Sequence, residues 1–511
     1  MSFLTFADML RRAAWRLPER QFLHWSDRGR TITYAEGEVL SDAVAGALAE
    51  LGVHKGDRVG IFAHNGLDYV MAMFGAWKLG AISAHINVLQ ADNLSWFVQD
   101  AAPRVLIYTG DLHEVVARNR PHMPSVQHYI CFDGERPGAL DWNALLAARL
   151  TPPAVHVDGN DAAHLSYTSG SSGKPKGVIL AHGPTARATH CIAERLQLTK
   201  EDISLGPTSL ASSYHLVGNL LPAIHRGACV GVRARWDAST VWQEMDRRGV
   251  TFLVANPLLL GDLLSSCRAV GRKPVALRFV LSGGAPVPPE LKQAYQEELG
   301  VPLVESYGQS ELGGFVALGY PRLEHGAKFA AIGPELPDRE VRITDEAGRE
   351  VPIGTPGEIL IRGGVMIGYH NLPEKTTEAL RDGWLHTGDV GVMDADGYIR
   401  LIGRWSERIV MNGQVIFPRP LEEALLRHPA VRYACVIAQP DPHAGQVPKA
   451  VVELHPGAEA TPEALMEHCN TVLGAANTLR AIEIIAHMPM TPTGKIGRAE
   501  LQARENRRSV R

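Results

Sequence analysis

The amino-acid sequence predicts an α/β protein: a large N-terminal domain of doubly wound sheets plus a small β-barrel, and a small α+β C-terminal domain. Three observations carry this. Up to about residue 314, short apolar runs alternate with helical stretches, the rhythm of a largely parallel sheet. From 330 to 403 short β-rich runs (340–343, 358–363, 398–403) sit between Gly, Pro and Asp turns, as in a small antiparallel barrel or meander. The polar, glycine-bounded stretch 403–413 then breaks the apolar pattern, and a separate α+β unit follows. The expected boundaries are 1–403 and 404–511, hinged near Arg404. A chain of 511 residues is too long for one core, which agrees with such a division.

In order, residues 1–20 place Leu4, Met9, Leu10, Ala13, Ala14 and Leu17 at helical spacing. Arg11, Arg12, Arg16 and Arg20 interrupt any signal-peptide core, so a docked amphipathic helix is expected rather than one lying on a membrane. Next come a strand over 31–36, a helix over 38–52 ending at Gly52, a strand over 57–63, a helix over 67–81 and a strand over 104–110. Runs 164–168 and 177–181 read as strands flanking a loop. The rhythm repeats through 228–234, 238–249, 251–257, 278–288 and 302–314. In the last unit a helix over 420–429 and a strand over 431–439 precede a helix over 461–474. That helix has Thr461 as N-cap, Pro462 at its first position and Gly474 at its end. The charged tail 502–511 reads as frayed and solvated.

Composition excludes several function classes. A net charge of −4 does not mark a nucleic-acid binder. Six scattered cysteines (131, 191, 229, 267, 435, 469) lack C-x-x-C spacing, which argues against a zinc site and a disulfide framework. They fit a reducing compartment, so a cytoplasmic protein is expected. No apolar run approaches the length of a membrane span, so no transmembrane segment is expected.

The chemistry begins with Thr168, Ser169, Gly170, Ser171, Ser172, Gly173, Lys174, Pro175, Lys176 and Gly177. Glycines let backbone approach a ligand closely, while N–H groups, hydroxyls and lysines ring an anion. A polyphosphate suits that loop; a flexible linker would need neither the flanking strands nor Pro175. It is not a Walker loop, because Pro175 follows Lys174 and a strand follows where a helix is required. Farther on, Tyr307-Gly308-Gln309-Ser310-Glu311 closes a strand, and Glu311 is a carboxylate suited to Mg²⁺. Ser282-Gly283-Gly284 is a glycine turn that also fits an ordinary strand-to-helix junction. Asp389 stands in a Gly-rich turn where a carboxylate can accept two ribose hydroxyls, and Arg404 has the fork geometry for ribose or phosphate oxygens. Lys495 lies in the glycine-flanked loop Pro492-Thr493-Gly494-Lys495-Ile496, where a lysine is ordinarily solvated.

Taken in order, these motifs resemble those of the adenylate-forming superfamily, in particular the AMP-dependent acyl-CoA synthetases. The matching segments run from 168 to 498, about two thirds of the chain. The resemblance implies ATP, Mg²⁺ and CoA as cofactors and roles residue by residue. Ser169, Gly170, Ser171, Ser172 and Lys176 cradle the β- and γ-phosphates, and Thr168 and Gly173 bind the cofactor with them. Tyr307 and Gly283 frame adenine, Ser310 and Glu311 manage the α-phosphate and the metal, and Asp389 and Arg404 hold the ribose. Gly413 belongs to the turn along which the pantetheine arm runs. Lys495 is the mobile catalytic lysine, and His215 is the gate beside the carboxylate, with a buried structural histidine as the ordinary alternative.

The sequence departs from the family's pattern at the hinge position, commonly Asp or Lys, which is Glu407, and at Pro420, where Glu is usual. The stretch 207–228 offers Tyr214, His215, Leu216, Val217 and Gly218 but no carboxylate, so an uncharged acyl tail is expected rather than an amino acid. Fatty, alicyclic and aromatic acids all satisfy such a wall. The expected partners are a small-molecule carboxylate and CoA, with no nucleic acid; a homodimer is compatible with the reading. The alternative is a stand-alone adenylation enzyme passing the acyl group to a carrier protein or another nucleophile.

Overall fold

The computed structural model describes residues 4–168, 175–474, 478–490 and 496–509. The protein is mixed α/β, with a large N-terminal domain and a small C-terminal one. Two eight-stranded sheets form the large domain. In the first, five strands run parallel in spatial order: Leu303–Tyr307, Phe279–Ser282, Phe252–Val254, Ile203–Gly206 and Cys229–Val232. Gln21–Trp25 joins them parallel to Cys229–Val232. The second sheet centres on Ala162–Thr168, Ile82–His85, Arg58–Phe62 and Val105–Tyr108, again parallel. Lys176–Ala181 folds back antiparallel on Ala162–Thr168, with Thr168 opposite Lys176. The phosphate-loop sequence is therefore the connection of a hairpin at the edge of a parallel sheet.

Helices cover these sheets because their apolar faces are continuous. Leu67–Lys78 buries every residue except Asp68, and Trp77 donates to Ala163 O at 2.8 Å, tying helix to sheet. The N-terminal helix Phe6–Arg16 docks through Phe6, Met9, Leu10, Ala13 and Ala14, with a capping box of Thr5 and Asp8. The strand expected over 31–36 ends at Thr33, and a helix begins at Tyr34. Thr33 and Glu36 form a second capping box, which outweighs the β-branched pattern. An antiparallel six-stranded sheet follows, built on Glu340–Thr344, Gly357–Arg362, Trp384–Met393 and Tyr398–Arg404.

The small domain is a five-stranded sheet built around the long hairpin Val431–Asp441 and Gly445–Leu454, covered by the helices Pro418–Leu426 and Pro462–Leu473. The tail is not frayed through its described residues. Arg498–Ser509 is a helix that buries Leu501 and pairs Glu505 with Lys449 at 2.7 Å, while Arg504 and Arg508 bond Glu483. The two domains touch through Arg427–Glu290 at 3.5 Å and Arg419–Glu305 at 3.9 Å.

Beneath the strand that leads into the phosphate loop, His164 and His85 lie ring to ring at 4.2 Å. His85 bonds Tyr69 and Ser83, but both ring nitrogens of fully buried His164 lack a partner. Burial pushes the His164 pKa down to about 3. The unfolded chain binds that proton near pH 6.5 and the native one refuses it, so stability is lost as pH falls from there towards 3. By pH 5 the loss is about 2 kcal/mol for this one site. Thermal melts at pH 7 and pH 5 check it: His164→Leu should lose less stability on acidification than the parent, and equal losses would refute the assignment.

Candidate nucleotide and acyl site

The site gathers where the large-domain sheets meet the six-stranded sheet. Tyr307 ends its strand fully inside, and its hydroxyl donates to Asp389 Oδ2 at 2.8 Å. Gln309 Nε2 donates to the same oxygen at 2.6 Å and to Thr387 O at 3.0 Å. Arg404 Nε meets Asp389 Oδ1 at 2.8 Å, and the two residues also face each other across the ladder. Asp389 is thus a buried carboxylate with three donors around it. Its charge, with help from Glu407, Tyr307 and Glu311, holds Arg404 above its usual pKa against the opposing effect of burial. Burial first, then Asp389, pushes the Tyr307 hydroxyl well above its ordinary value, so it stays a donor.

A second cluster adjoins it. Glu311 lies in the one-turn helix Ser310–Leu312, and its Oε1 accepts from the Tyr369 hydroxyl at 2.8 Å. Lys176 sets its ammonium 4.5 Å from the Tyr369 ring centroid. Ser310 Oγ accepts from Ser213 Oγ at 3.1 Å. Thr168 closes the first strand of the loop hairpin, its hydroxyl directed at Lys176 O at 3.5 Å. Ser169, Gly170, Ser171, Ser172, Gly173 and Lys495 lie outside the described residues. Tyr369, Gln309 and Thr387 were not picked out from sequence. Thr387 and Gln309 sit within two residues of chosen positions, which is a usable signal. Tyr369 carries none: the strand Gly368–Tyr369 pairs with Lys176–Ala181 and brings it in from far along the chain.

His215 lies fully buried. Its Nδ1 donates to Thr208 O at 2.8 Å, and its Nε2 takes the Asn219 amide at 3.1 Å. Burial, opposed by the bond to Thr208, pushes its pKa down to about 4, so the ring is neutral at pH 7. Tyr214, the residue before it, has its ring centroid 5.7 Å from that of Phe315.

Gly283 is needed for close approach. A Cβ there would stand 2.3 Å from Ser306 Oγ and 3.1 Å from a Tyr214 ring carbon. Gly283→Ala must displace Ser306, whose Oγ donates to Ser282 O at 3.0 Å, at a cost of about 1–3 kcal/mol. The expected result is at least a roughly tenfold fall in kcat/KM for the acid, partly restored by adding Ser306→Gly. Wild-type kinetics in Gly283→Ala would contradict the packing. Gly413 stands elsewhere: with Asn412 it makes the positive-φ turn of the hairpin Ile409–Met411 and Gln414–Ile416.

The donor set fits a metal bound together with a nucleotide. Mg²⁺ is commonly held by one or two carboxylates plus phosphates and waters. Among the described residues no cluster of three or more His, Cys, Asp or Glu offers a protein-only cage; Glu311 and Lys176 both contact Tyr369, one at its hydroxyl and the other at its ring.

The AMP-binding enzyme family matches residues 10–370, and the AMP-binding enzyme C-terminal domain matches residues 420–495. The chain is 31% identical to a sulfoacetate–CoA ligase of Cupriavidus necator, covering 98% of this chain and 97% of that protein. It is 31% identical to a feruloyl-CoA synthase of Amycolatopsis, covering 93% and 94%. Among solved structures, an anthranilate CoA ligase in complex with anthranoyl-AMP superposes with a TM-score of 0.92 at 26% identity, over 100% of this chain and 99% of that one. The o-succinylbenzoate CoA synthetase of Bacillus subtilis, with its acyl-adenylate intermediate, gives a TM-score of 0.86 at 26% identity, over 98% and 99%. The chain therefore belongs to the adenylate-forming superfamily, in its AMP-dependent acyl-CoA synthetase family. It is an acid–thiol ligase.

Proposed function

We propose that this ligase activates an aryl or other short apolar carboxylic acid with ATP and passes it to CoA. One observation carries the substrate class: the Tyr214 and Phe315 rings fill the space between two glycines. A Cβ on Gly218 would lie 3.2 Å from the Phe315 ring, and one on Gly283 would lie 3.1 Å from that of Tyr214. Such a wall suits a flat acyl group stacked on aromatic faces. The feruloyl-CoA synthase and anthranilate CoA ligase, both acting on aryl acids, support the same class. The relatives are CoA ligases, which favours CoA over a carrier protein as acceptor. Six free cysteines, five of them buried, support a cytoplasmic enzyme. Among the described residues no helix is long and apolar enough to cross a membrane.

In the first step a carboxylate oxygen attacks the α-phosphorus of ATP, the bond to the β-phosphate breaks, and pyrophosphate leaves. Negative charge then concentrates on the α-phosphoryl oxygens and the leaving group. Thr168, Ser169, Gly170, Ser171, Ser172, Gly173 and Lys176 hold the β- and γ-phosphates. Tyr307 and Gly283 border adenine, and Asp389 with Arg404 orients the ribose. Ser310 and Glu311 would hold Mg²⁺, whose charge stabilises the phosphoryl oxygens when it is bound. Lys495 supplies a further cation. In the second step the CoA sulfur attacks the acyl carbonyl, the bond to the phosphate oxygen breaks, and AMP leaves. Gly413 lies along the pantetheine path, and neutral His215 positions the turn 213–220 that carries Tyr214. Pyrophosphate release across a panel of acids tests the proposal. Benzoic and cinnamic acids should exceed palmitic acid by at least about tenfold in kcat/KM. A reversed order would overturn the aryl assignment and leave the ligase reading intact.

A further inference from the structure

One guanidinium lies wholly inside the large domain, behind the acyl wall. The side chain of Arg339 is fully buried, and all three of its nitrogens bond backbone carbonyls. Nε donates to Phe315 O at 3.2 Å, Nη2 donates to Leu312 O at 2.7 Å, and Nη1 donates to Gly363 O. Asp338 is buried beside it, with Oδ2 3.7 Å from Arg339 Nε. The packing leaves no slack. A Cβ on Gly314 would lie 3.0 Å from Nη2, and one on Gly364 would overlap Nη1.

Those three carbonyls belong to two stretches of irregular backbone. Leu312 closes the turn Ser310–Leu312 that carries Glu311, and Phe315 supplies one ring of the wall. Gly363 opens a segment whose Met366 N donates to Glu311 O at 2.7 Å, and which runs on to Tyr369, the donor to Glu311 Oε1. Buried carbonyls need donors, and the planar fork of arginine supplies them in fixed directions. The same fork therefore fixes the backbone of Phe315 against the neighbouring segment.

We propose that Arg339 is a positioning residue for acid selection: by joining the Leu312, Phe315 and Gly363 carbonyls, it sets where the Phe315 ring stands against Tyr214. The proposal rests on the acyl wall argued above. Benzoic and cinnamic acids carry their rings at different distances from the carboxylate. A shift of the wall therefore changes their relative fit, and not only the overall rate.

Pyrophosphate release with these two acids, well below each variant's melting temperature, tests this on the full chain. Arg339→Lys keeps a cation beside Asp338, but a point ammonium cannot serve all three carbonyls in the directions of the fork. It should change the benzoic-to-cinnamic ratio of kcat/KM by at least about fivefold and leave KM for ATP within about twofold. Arg195→Lys is the control for loss of structure alone. Arg195 also donates to three carbonyls, those of Leu318, Pro334 and Glu335, none of them in the wall or in the Glu311 turn. Its loss should lower the melting temperature and leave the ratio within about twofold. With Phe315→Leu already in place, Arg339→Lys should no longer move the ratio. Gly364→Asn is a second route to the same displacement. Asn tolerates the left-handed backbone there (φ +59°), its Cβ would overlap Nη1, and the ratio should move although the arginine is kept. An unchanged ratio in Arg339→Lys and Gly364→Asn, an equal shift in Arg195→Lys, or a shift that persists without the Phe315 ring would overturn the proposal. Failure of the function proposed above looks different, because it shows in the unmodified chain: no acid-dependent pyrophosphate release, or a preference for palmitic acid.

Discussion

Lys495→Ala is expected to reduce acyl-AMP formation by about 10²–10³, while supplied acyl-AMP and CoA are still converted to thioester at close to the parent rate. With Lys495 in its proposed role, the magnitude is that of losing one donor to a developing oxyanion, about 3–4 kcal/mol in the transition state. The asymmetry follows from chemistry. Only the first step builds charge on a pentacovalent phosphorus and a leaving pyrophosphate; the second expels AMP from a carbonyl. The described residues on either side of residues 491–495 are tied down. Met490 and Ile496 form a bridge, Gly497 N donates to Pro489 O at 2.7 Å, and Arg498 is bound on three sides. A substitution between those anchors should therefore act on chemistry and not on folding. Single-turnover assays of each half-reaction decide it, and an equal loss of both would refute the division of labour.

Asp389→Asn is expected to raise KM for ATP by about tenfold to a hundredfold and to lower the melting temperature. The carboxylate has donors on both oxygens: Tyr307 and Gln309 on one, Arg404 on the other. An amide of the same shape must point its own NH₂ at one of them, leaving two donors opposed inside the protein. Bonds to a charged acceptor contribute about 1.5–3 kcal/mol each, which sets the range. Arg404 is 42% exposed at its side chain, so its ion pair alone is screened and contributes little. The larger share comes from Tyr307 and Gln309, in the interior. Arg404→Gln should accordingly be milder than Asp389→Asn in melting temperature. The opposite ranking in paired thermal melts and ATP titrations would contradict this account of the site.

Much of the architecture could be read from local signals, and its misreadings have local causes. The strands that flank the loop 168–177 were legible because two β-branched runs bound a glycine-rich stretch, and they pair as a hairpin. The strand expected to run to residue 36 stops at Thr33 because a T-x-x-E capping box overrides β propensity, a signal present in the sequence. The tail beyond 498 looked apolar-poor, yet Leu501 and the buried Lys449–Glu505 pair dock it; that partner is 56 residues away and has no local signature. Tyr369 is hidden for the same reason, since only the antiparallel pairing of Gly368–Tyr369 with Lys176–Ala181 places it on Glu311. At His215 sequence offers a residue type, whereas both ring nitrogens are already committed to Thr208 and Asn219. Glu407 and Pro420 stood out as departures, but only the fold shows that Glu407 pairs with Arg498.

Pyrophosphate–ATP exchange, measured with benzoic or cinnamic acid in the absence and presence of CoA, tests the central claim most directly. The account predicts exchange that requires the acid but not CoA, with AMP, pyrophosphate and a CoA thioester forming in equal amounts once CoA is added. Exchange that ignores the acid, formation of ADP and phosphate, or acid-dependent exchange to which CoA adds no thioester would contradict it.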